Sequence, residues 1–413
     1  MAIDTLGANA LASNSVTTAK IANDAVTGAK IPADAVVAAD IADGSITTAK
    51  LADNAVTSAK ALNLGHRNII INGAMQVAQR ATSATGLGNG GGYNTLDRHR
   101  FSSGNTAGRL TQSQVSVTDL PGFANAMKLD CTTADTSIAA NEDCSLQYRI
   151  EGQDLQQLKK GTSSAEKVTV SFYMKTNKAF TFMCELDDTD NNRFNGQQFT
   201  TSTSWTRHTL TFVGDTTGTL DDDNARSMSL NFWIHAGSNF TGGTYTANTW
   251  QSRQATDANR AVGISSFYDD TDNELQLTGL QMEVGDTATD FEHRSYAEER
   301  QLCYRYYYRT PSSQAGGQTA NEAFPCFGNM DGTSVGAFMF IFPVPMRAAP
   351  TAIEQSGTPS HYSVRVTGDS NGTSGPTAGG FTSEKALVNL TSGGGFTSGS
   401  GAFMRMENTD AFI

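Results

Sequence analysis

Large apolar residues recur every five positions through the first part of the chain. Starting at Leu11, the sequence divides into five ten-residue units with Leu or Ile first, Val or Ile sixth and Ala ninth. A spacing of five matches neither the 3.6-residue period of a helix nor the two-residue period of a strand. Asn-Asp, Asp-Gly and Asp-Asn pairs favour a turn. We therefore predict a turn, a short extended piece and one helical turn at Thr-x-Ala-Lys in each unit.

A ten-residue unit with two modest apolar side chains is too small to bury its own hydrophobic face. Residues 1–64 are therefore predicted to associate around an axis as a trimeric stalk, in which the Ala positions let neighbouring backbones approach closely. The predicted stalk core consists of Ile21, Val26, Ile31, Val36, Ile41, Ile46, Leu51 and Val56. The alternative is a disordered, low-complexity linker, which the high Ala, Thr and Asp content favours. The strict register of the repeat favours the stalk.

Short runs of alternating apolar and polar residues fill residues 65–296. The run 168–174 places its Val, Phe and Met side chains on one face, and the runs 209–213 and 228–234 alternate in the same way. Clusters of Asp, Asn, Gly and Thr separate these runs and predict turns between strands. Many short strands without long helical periods predict a two-sheet β-sandwich. One short helix is predicted at 152–160 and another near 296–302.

Residues 297–413 form the C-terminal part, in which Gly, Ser and Thr dominate from Thr310 onward. The run 335–344 and the final residues from 402 onward are predicted as strands. This composition is typical of a small β domain with long exposed loops, and such loops often carry binding residues. The chain as a whole is therefore predicted to be mainly β, with a repetitive stalk, a central sandwich and a C-terminal β tip domain.

Charge, hydropathy and cysteine content indicate which partners and which cellular compartment to expect. The net charge of -12 at pH 7 disfavours binding to nucleic acid, because an acidic surface repels phosphate backbones. The longest apolar stretch, at 336–344, is too short to span a bilayer, so we expect no membrane insertion. Five dispersed cysteines without metal-ligand spacing predict buried thiols in a protein made in a reducing cytoplasm.

Several segments resemble one family. The repeat IADGSITTAKLADNAVTSAK resembles the N-terminal segments of bacteriophage fibre proteins. The stretch 68–80 is similar to the opening of a phage domain that resembles carbohydrate-binding modules, and Tyr93, Asp97 and Arg98 follow at the spacing of that family. His99 stands where the family usually has Trp. The segment 275–309, which ends in CYRYYYR, is the most specific match.

The resemblance implies a homotrimeric virion fibre with a jelly-roll body. Residues 1–64 would attach it to other virion proteins of the tail, neck or capsid, and the outer domains would contact a host-surface glycan. A head fibre or capsid decoration protein with a purely structural role is the main alternative. A glycan depolymerase would need paired carboxylates, and no pair stands out in the sequence. We therefore expect a non-enzymatic protein of the virion.

Aromatic residues are the candidate glycan contacts, because a ring face packs against the CH groups of a sugar. Trp205 and Trp233 adjoin or lie within predicted strands and are interpreted as core residues. Trp250 and Tyr245 share a polar loop and are the predicted glycan contacts. The run of tyrosines and arginines at 304–309 would either bind a ligand or pack between domains or chains.

Two acidic loops nearly repeat each other at 187–192 and 269–274. Alternate carboxylates in a turn resemble part of a calcium loop, although the central Gly and distal Glu of an EF-hand are missing. The candidate Ca²⁺ ligands are Asp188, Asp190, Asp270 and Asp272. The alternative is a pair of solvated turns that bind no metal.

Overall fold

The computed structural model describes residues 21–22, 25–27, 30–31, 35–42, 44–51, 66–310, 323–355 and 358–406. The internal contacts divide the chain into two compact units, Met1–Gly65 and His66–Ile413. No helix in the described parts of the chain is long and apolar enough to cross a membrane.

The first unit repeats one pattern of hydrogen bonds. The backbone N–H of the fifth position donates to the carbonyl of the second, over 3.0 Å at Ser45 and 3.1 Å at Ala25. The tenth-position ammonium groups of Lys50 and Lys30 each donate to the fifth-position carbonyl over 2.6 Å. A 3-10 turn at Thr48–Lys50 confirms the helical turn predicted at Thr-x-Ala-Lys.

One chain leaves the predicted stalk core about half exposed. The side chains concerned are between 42% and 56% exposed, and they are Ile21, Val26, Ile31, Val36, Ile41, Ile46 and Leu51. The eighth predicted core residue, Val56, lies outside the described residues. Trimerisation of this segment stays a prediction.

The second unit begins with a β-sandwich of thirteen strands. Its strands are β1 Ser83–Leu87, β2 Gly90–Gly92, β3 His99–Gly104, β4 Arg109–Ser116, β5 Asn125–Thr133, β6 Asp143–Glu151, β7 Val168–Thr176, β8 Thr181–Asp188, β9 Arg193–Thr200, β10 Thr206–Phe212, β11 Arg226–Ala236, β12 Gln251–Ser252 and β13 Glu274–Val284.

All strand pairs of the sandwich are antiparallel, and the thirteen strands form two sheets. The first has the order β1-β4-β5-β13-β7-β10 and the second β12-β9-β8-β11-β6-β3-β2. Within them, β5-β13-β7-β10 faces β6-β11-β8-β9, which is the strand order of an eight-stranded jelly roll. The predicted sandwich is confirmed, and its connections are those of a jelly roll.

A single hydrophobic core lies between the two sheets. It is built from alternate residues of strands in both sheets, because successive side chains of a strand point to opposite faces. Phe172 of β7 and Phe232 of β11 meet across the sandwich, with ring centroids 4.8 Å apart. Together with Phe199 of β9, these rings join the two layers.

The helices are short. The α-helices are α1 Ser238–Thr241, α2 Arg253–Thr256 and α3 Tyr296–Tyr304. The predicted helix at 152–160 is instead two 3-10 turns, Gly152–Asp154 and Gln156–Leu158. Lys159 follows with a φ of +49°, in the left-handed region that ends a helical turn. The helix near 296 is confirmed, with the Ser295 side chain accepting the N–H of Glu298 at its start.

Residues 323–406 form one seven-stranded antiparallel sheet with its own core. Its strands are β14 Ala323–Met330, β15 Val335–Ile341, β16 Tyr362–Arg365, β17 Asp369–Asn371, β18 Thr377–Phe381, β19 Lys385–Thr391 and β20 Gly401–Met406, in the order β17-β16-β20-β14-β15-β19-β18. The predicted β structure of the C-terminal part is confirmed as this sheet, and its division from the sandwich as a separate domain stays a prediction.

The outer face of the third sheet carries an apolar row, formed by Phe327, Met339, Ile341 and Leu387. Phe327 is 70% exposed and Ile341 is 75% exposed. Phe327 pairs with Met339, and Met339 pairs with Leu387, so three of these side chains adjoin across neighbouring strands. Alternate residues of the same strands, such as Phe338 and Val388, form the buried core on the opposite face.

Candidate functional site

A cavity of about 300 Å³ lies where the sandwich meets the segment after α3 and the third sheet. We call it the arginine cleft, since five arginines line it. They are Arg80, Arg98, Arg149, Arg226 and Arg347. Three tyrosines also line it, and they are Tyr93, Tyr306 and Tyr307.

Aromatic rings hold two of these arginines in place. The guanidinium carbon of Arg98 lies 3.4 Å from the ring centre of Tyr306 and 4.8 Å from that of Tyr148. Arg98 also donates a hydrogen bond to the backbone carbonyl of Arg149. Arg80 lies 3.5 Å from the ring centre of Tyr307. Such cation–π contacts make these arginines part of the cleft wall.

Four arginines in and beside the cleft form no salt bridge with a described carboxylate, although Asp187 attracts Arg226 at longer range. Arg149 and its neighbour Arg100 both donate to the side-chain oxygen of Gln147, over 2.7 and 3.2 Å. Arg347 donates to a backbone carbonyl over 2.9 Å. Burial lowers the pKa of Arg149, and repulsion by Arg100 lowers it further. Burial and then Arg149 lower the pKa of Arg226 in the same way.

The carboxylates of the cleft wall are already engaged. Glu151 accepts bonds from Arg305 over 2.9 and 2.6 Å and from the Tyr306 hydroxyl. Burial opposes the ionisation of Glu151, but these hydrogen bonds hold its pKa below the usual value. Asp97 accepts the backbone and side-chain N–H groups of Gln79, and burial raises the pKa of Asp97. Neither carboxylate therefore balances the unpaired arginines.

Tyr93 is a half-buried aromatic residue of the cleft. It lines the cavity together with Arg98, Arg149 and Arg226. A phenol so placed can donate or accept a hydrogen bond beside the guanidinium groups. Tyr93, Asp97 and Arg98, which formed one sequence motif, thus line one cavity.

A second cavity of about 400 Å³ adjoins the cleft and shares Arg80, Tyr306, Tyr307 and Arg347 with it. The rest of its lining comes mostly from apolar residues of the third sheet and of the segment 346–353. The tyrosine run at 304–309 therefore both packs between the sandwich and the third sheet and lines two cavities. Tyr308 shows the packing role, with its ring 6.2 Å from that of Phe342.

Comparisons with known proteins give weak likenesses. No family model matches the chain, and the search of curated proteins found no match. The tailspike protein 4 enzymatically active domain of bacteriophage CBA120 is similar over 53% of this chain and 21% of its own, at 9% identity and a TM-score of 0.29. A family 11 carbohydrate-binding module of Clostridium thermocellum is similar over 48% of this chain and 92% of its own, at 15% identity and a TM-score of 0.25.

A tandem of family 22 carbohydrate-binding modules from Paenibacillus barcinonensis covers 80% of this chain and 96% of its own, at 11% identity and a TM-score of 0.22. The chain spans about a fifth of the tailspike chain it resembles. The jelly-roll assignment rests on this chain's own strand order.

The two predicted glycan contacts lie in different clusters. Trp250 packs partly buried against the sandwich core, and its indole N–H donates to the Val213 carbonyl over 2.8 Å. Tyr245 packs against a small separate cluster that contains Trp233, and its hydroxyl accepts the N–H of Gln198 over 3.0 Å. Neither residue lines the arginine cleft. Glycan contact by these two residues stays a prediction.

The acidic loops are held by hydrogen bonds within the chain. Asp188 is fully buried, and the Lys160 ammonium lies 2.6 Å from its carboxylate, so that this charge is balanced by a lysine. Asp190 accepts a backbone N–H over 3.1 Å. Asp270 accepts the N–H of Asp272 over 3.0 Å in a turn. The Ca²⁺ sites stay predictions.

A buried group of possible metal ligands was missed by the sequence analysis. The ligand atoms of Asp135, Glu142 and His235 all lie within 4.8 Å of one another. The His235 ring nitrogen and the Glu142 carboxylate are 3.0 Å apart, and Asp135 accepts bonds from Thr106 and from a backbone N–H. These three side chains could hold a metal, but each already has a hydrogen-bond partner. Their wide separation in sequence gave no signal.

Proposed function

We propose that this chain is a non-enzymatic bacteriophage fibre subunit that adheres to host-surface glycans through the arginine cleft. The observation that carries this proposal is the cleft itself, which combines tyrosine rings with several hydrogen-bond donors in one concave site. Ligand sites of proteins are commonly clefts with aromatic walls and a few placed polar groups. Tyrosine rings offer a face for a sugar ring, and guanidinium groups offer donors for its oxygen atoms.

Self-association into a homotrimer is the second part of the proposal. The repeats and the apolar row both leave large hydrophobic side chains exposed in one chain, up to 75% at Ile341. Burial of such side chains is favourable by about 25 cal/mol per Å² of apolar surface. Copies that meet around a common axis would cover both surfaces, while residues 1–64 attach the fibre to other virion proteins. The phage assignment itself rests on the repeat resemblance.

A binding role rather than catalysis is supported by the state of the cleft carboxylates. Asp97 and Glu151 are each 2% exposed, and their oxygens accept hydrogen bonds from the side chains of Gln79 and Arg305. A glycosidase needs one carboxyl group to donate a proton to the glycosidic oxygen and a second to act as base or nucleophile. Both carboxylates are buried and already accept hydrogen bonds within the protein. This favours a role in supporting the cleft wall over direct contact with the glycosidic bond of a substrate.

Binding of the full chain to a panel of bacterial surface polysaccharides and oligosaccharides tests this function. We expect saturable binding to at least one glycan, with no release of oligosaccharide over hours of incubation. Binding to none of them by an intact oligomer would favour the head fibre or decoration protein. Release of oligosaccharide products would show a depolymerase instead.

The oligomer is tested by its mass in solution. We expect light scattering at micromolar concentration to give three times the chain mass of 43.8 kDa. Phe327→Asp combined with Ile341→Asp should weaken the trimer, so that its mass falls on dilution at a higher chain concentration than that of the wild type, because two charges would enter one of the two buried interfaces. Lys178→Gln, an exposed change in the sandwich, is the control and should leave the trimer intact. A monomeric wild-type chain with folded repeats would contradict the fibre proposal.

A further inference from the structure

We propose that the arginine cleft selects glycans that carry an anionic group, either a carboxylate or a phosphate, over neutral glycans. This inference rests on the proposed glycan-binding function and names the class of ligand. It follows from the charges of the cleft, from the geometry of its guanidinium groups and from its tyrosine walls.

The charge of the cleft is opposite to that of the chain. The protein has 41 acidic and 29 basic residues, yet Arg100, Arg149, Arg226 and Arg347 gather without a salt bridge to a described carboxylate. Elsewhere in the same unit, arginines such as Arg193 and Arg260 are paired with carboxylates at 2.7 Å. Like charges that gather in one place repel each other. Arg226 and Arg347 are exposed and Arg149 is half-buried, so a bound anion can reach these groups and would offset their repulsion.

Two guanidinium groups in and beside the cleft share one hydrogen-bond acceptor. Gln147 accepts from both Arg100 and Arg149 through one oxygen, which holds these two side chains together. Each guanidinium has five N–H groups, so most of those on Arg149 are left for a ligand. Arginine matches carboxylate and phosphate oxygens through two parallel hydrogen bonds. Tyr93 lines the same cavity as Arg149 and Arg226 and adds a tyrosine side chain to it.

The tyrosine walls favour a sugar over a simple inorganic anion. Tyr306 and Tyr307 line both the cleft and the adjoining 400 Å³ cavity, whose remaining lining is largely apolar. A sugar ring could lie along these side chains while its anionic substituent reaches the arginines. The combined space is in the range of about 300–1,000 Å³ that is usual for small-molecule sites.

Binding of the full chain to matched oligosaccharides tests the inference. The probes are a neutral oligosaccharide series, the same sugars with a uronic acid carboxylate, the same sugars with a phosphate monoester, and inorganic phosphate alone. We expect at least one anionic series to bind tenfold or more tightly than its neutral counterpart, and this preference to shrink between 50 and 500 mM NaCl. The stronger of the two series identifies the anion.

Two substitutions locate the preference in the cleft. Arg149→Gln with Arg226→Gln should reduce the anionic preference to less than twofold, while Arg149→Lys with Arg226→Lys should keep part of it, because charge is retained and the planar fork is lost. Arg365→Gln, on β16 and outside both cavities, should leave the preference unchanged. Circular dichroism and mass in solution check that each variant folds and assembles.

The outcomes separate this inference from the proposed function. Equal binding of neutral and anionic series would overturn the inference while the glycan-binding function stands. An anionic preference that survives the double Gln substitution in a folded protein would also overturn it, because the arginines would then play no part. Tight binding of inorganic phosphate with no gain from the sugar would count against a glycan ligand. Binding of no sugar would reject the function and the inference together.

Discussion

Phe172→Ala is expected to destabilise the protein by about 3–5 kcal/mol, which is the usual cost of removing a buried phenyl ring. Phe172 is fully buried, and its ring centroid lies 4.8 Å from that of Phe232 and 5.0 Å from that of Phe199. These partners belong to the opposite sheet, so the substitution opens a cavity between the two layers of the sandwich. Urea unfolding followed by tryptophan fluorescence measures the change in free energy.

Phe172→Leu is the matched control, because it keeps most of the apolar volume at the same position. We expect it to cost markedly less than the Ala substitution. An exposed Phe should respond differently, and Phe327→Ala on the third sheet should change the unfolding of the sandwich little. A loss below about 1 kcal/mol for Phe172→Ala would contradict the packed two-sheet core, since cavity formation in such a core costs more.

Acidification is expected to destabilise the protein through His99. Burial lowers the pKa of His99 to about 4, and its ring nitrogen bonds the Asn72 carbonyl over 3.1 Å. The unfolded chain therefore takes up a proton near pH 6.5, while the folded chain stays neutral until about pH 4. The free energy of unfolding is therefore not reduced by His99 above pH 6.5, and it falls as the pH drops toward 4. The loss amounts to about 3 kcal/mol at 1.36 kcal/mol per pH unit.

His99→Gln isolates this contribution, because Gln cannot titrate and can still donate to Asn72. The free energy of unfolding of the wild type and the variant should be measured at pH 7 and at pH 4.5. We expect the wild type to lose more stability than the variant between these two values. Asp187 acts in the opposite direction, since burial raises its pKa to about 6 and its protonation favours the folded state at low pH. Equal losses in the two proteins would show that His99 is not buried as a neutral ring.

The strands of the sandwich could be predicted because their signal is local. Residues 168–174 alternate between the core and the opposite face, and β7 spans Val168–Thr176. The helix predicted at 152–160 was wrong in type, since Leu155 and Leu158 are buried at a spacing that 3-10 turns also provide. Spacing alone does not separate an α-helical turn from two 3-10 turns over so few residues.

The candidate site was only partly predictable. Tyr93, Asp97 and Arg98 form a short motif, and Tyr306 and Tyr307 stand out in a run of aromatic residues, so both groups could be found in the sequence. The remaining arginines could not be identified from the sequence. Arg149 lies in a strand with alternating residues, Arg226 is the first residue of a strand, and Arg347 lies in a loop. These arginines matter because they form no salt bridge with a described carboxylate. The sequence does not show this, because strand pairing decides which residues distant in the chain lie next to each other.

By itself the sequence determined the mainly β class and the ten-residue repeat with its turns. It also determined that the regularly spaced apolar side chains of the repeat stay exposed in one chain. Each of these features depends on neighbours within about ten residues. Only the tertiary structure decided the jelly-roll strand order, the meeting of Tyr93 with Arg149 and Arg226, and the placement of Trp250 away from that cleft. Those features depend on which distant strands pair and which side chains lose water together. Local periodicity carries no information about either.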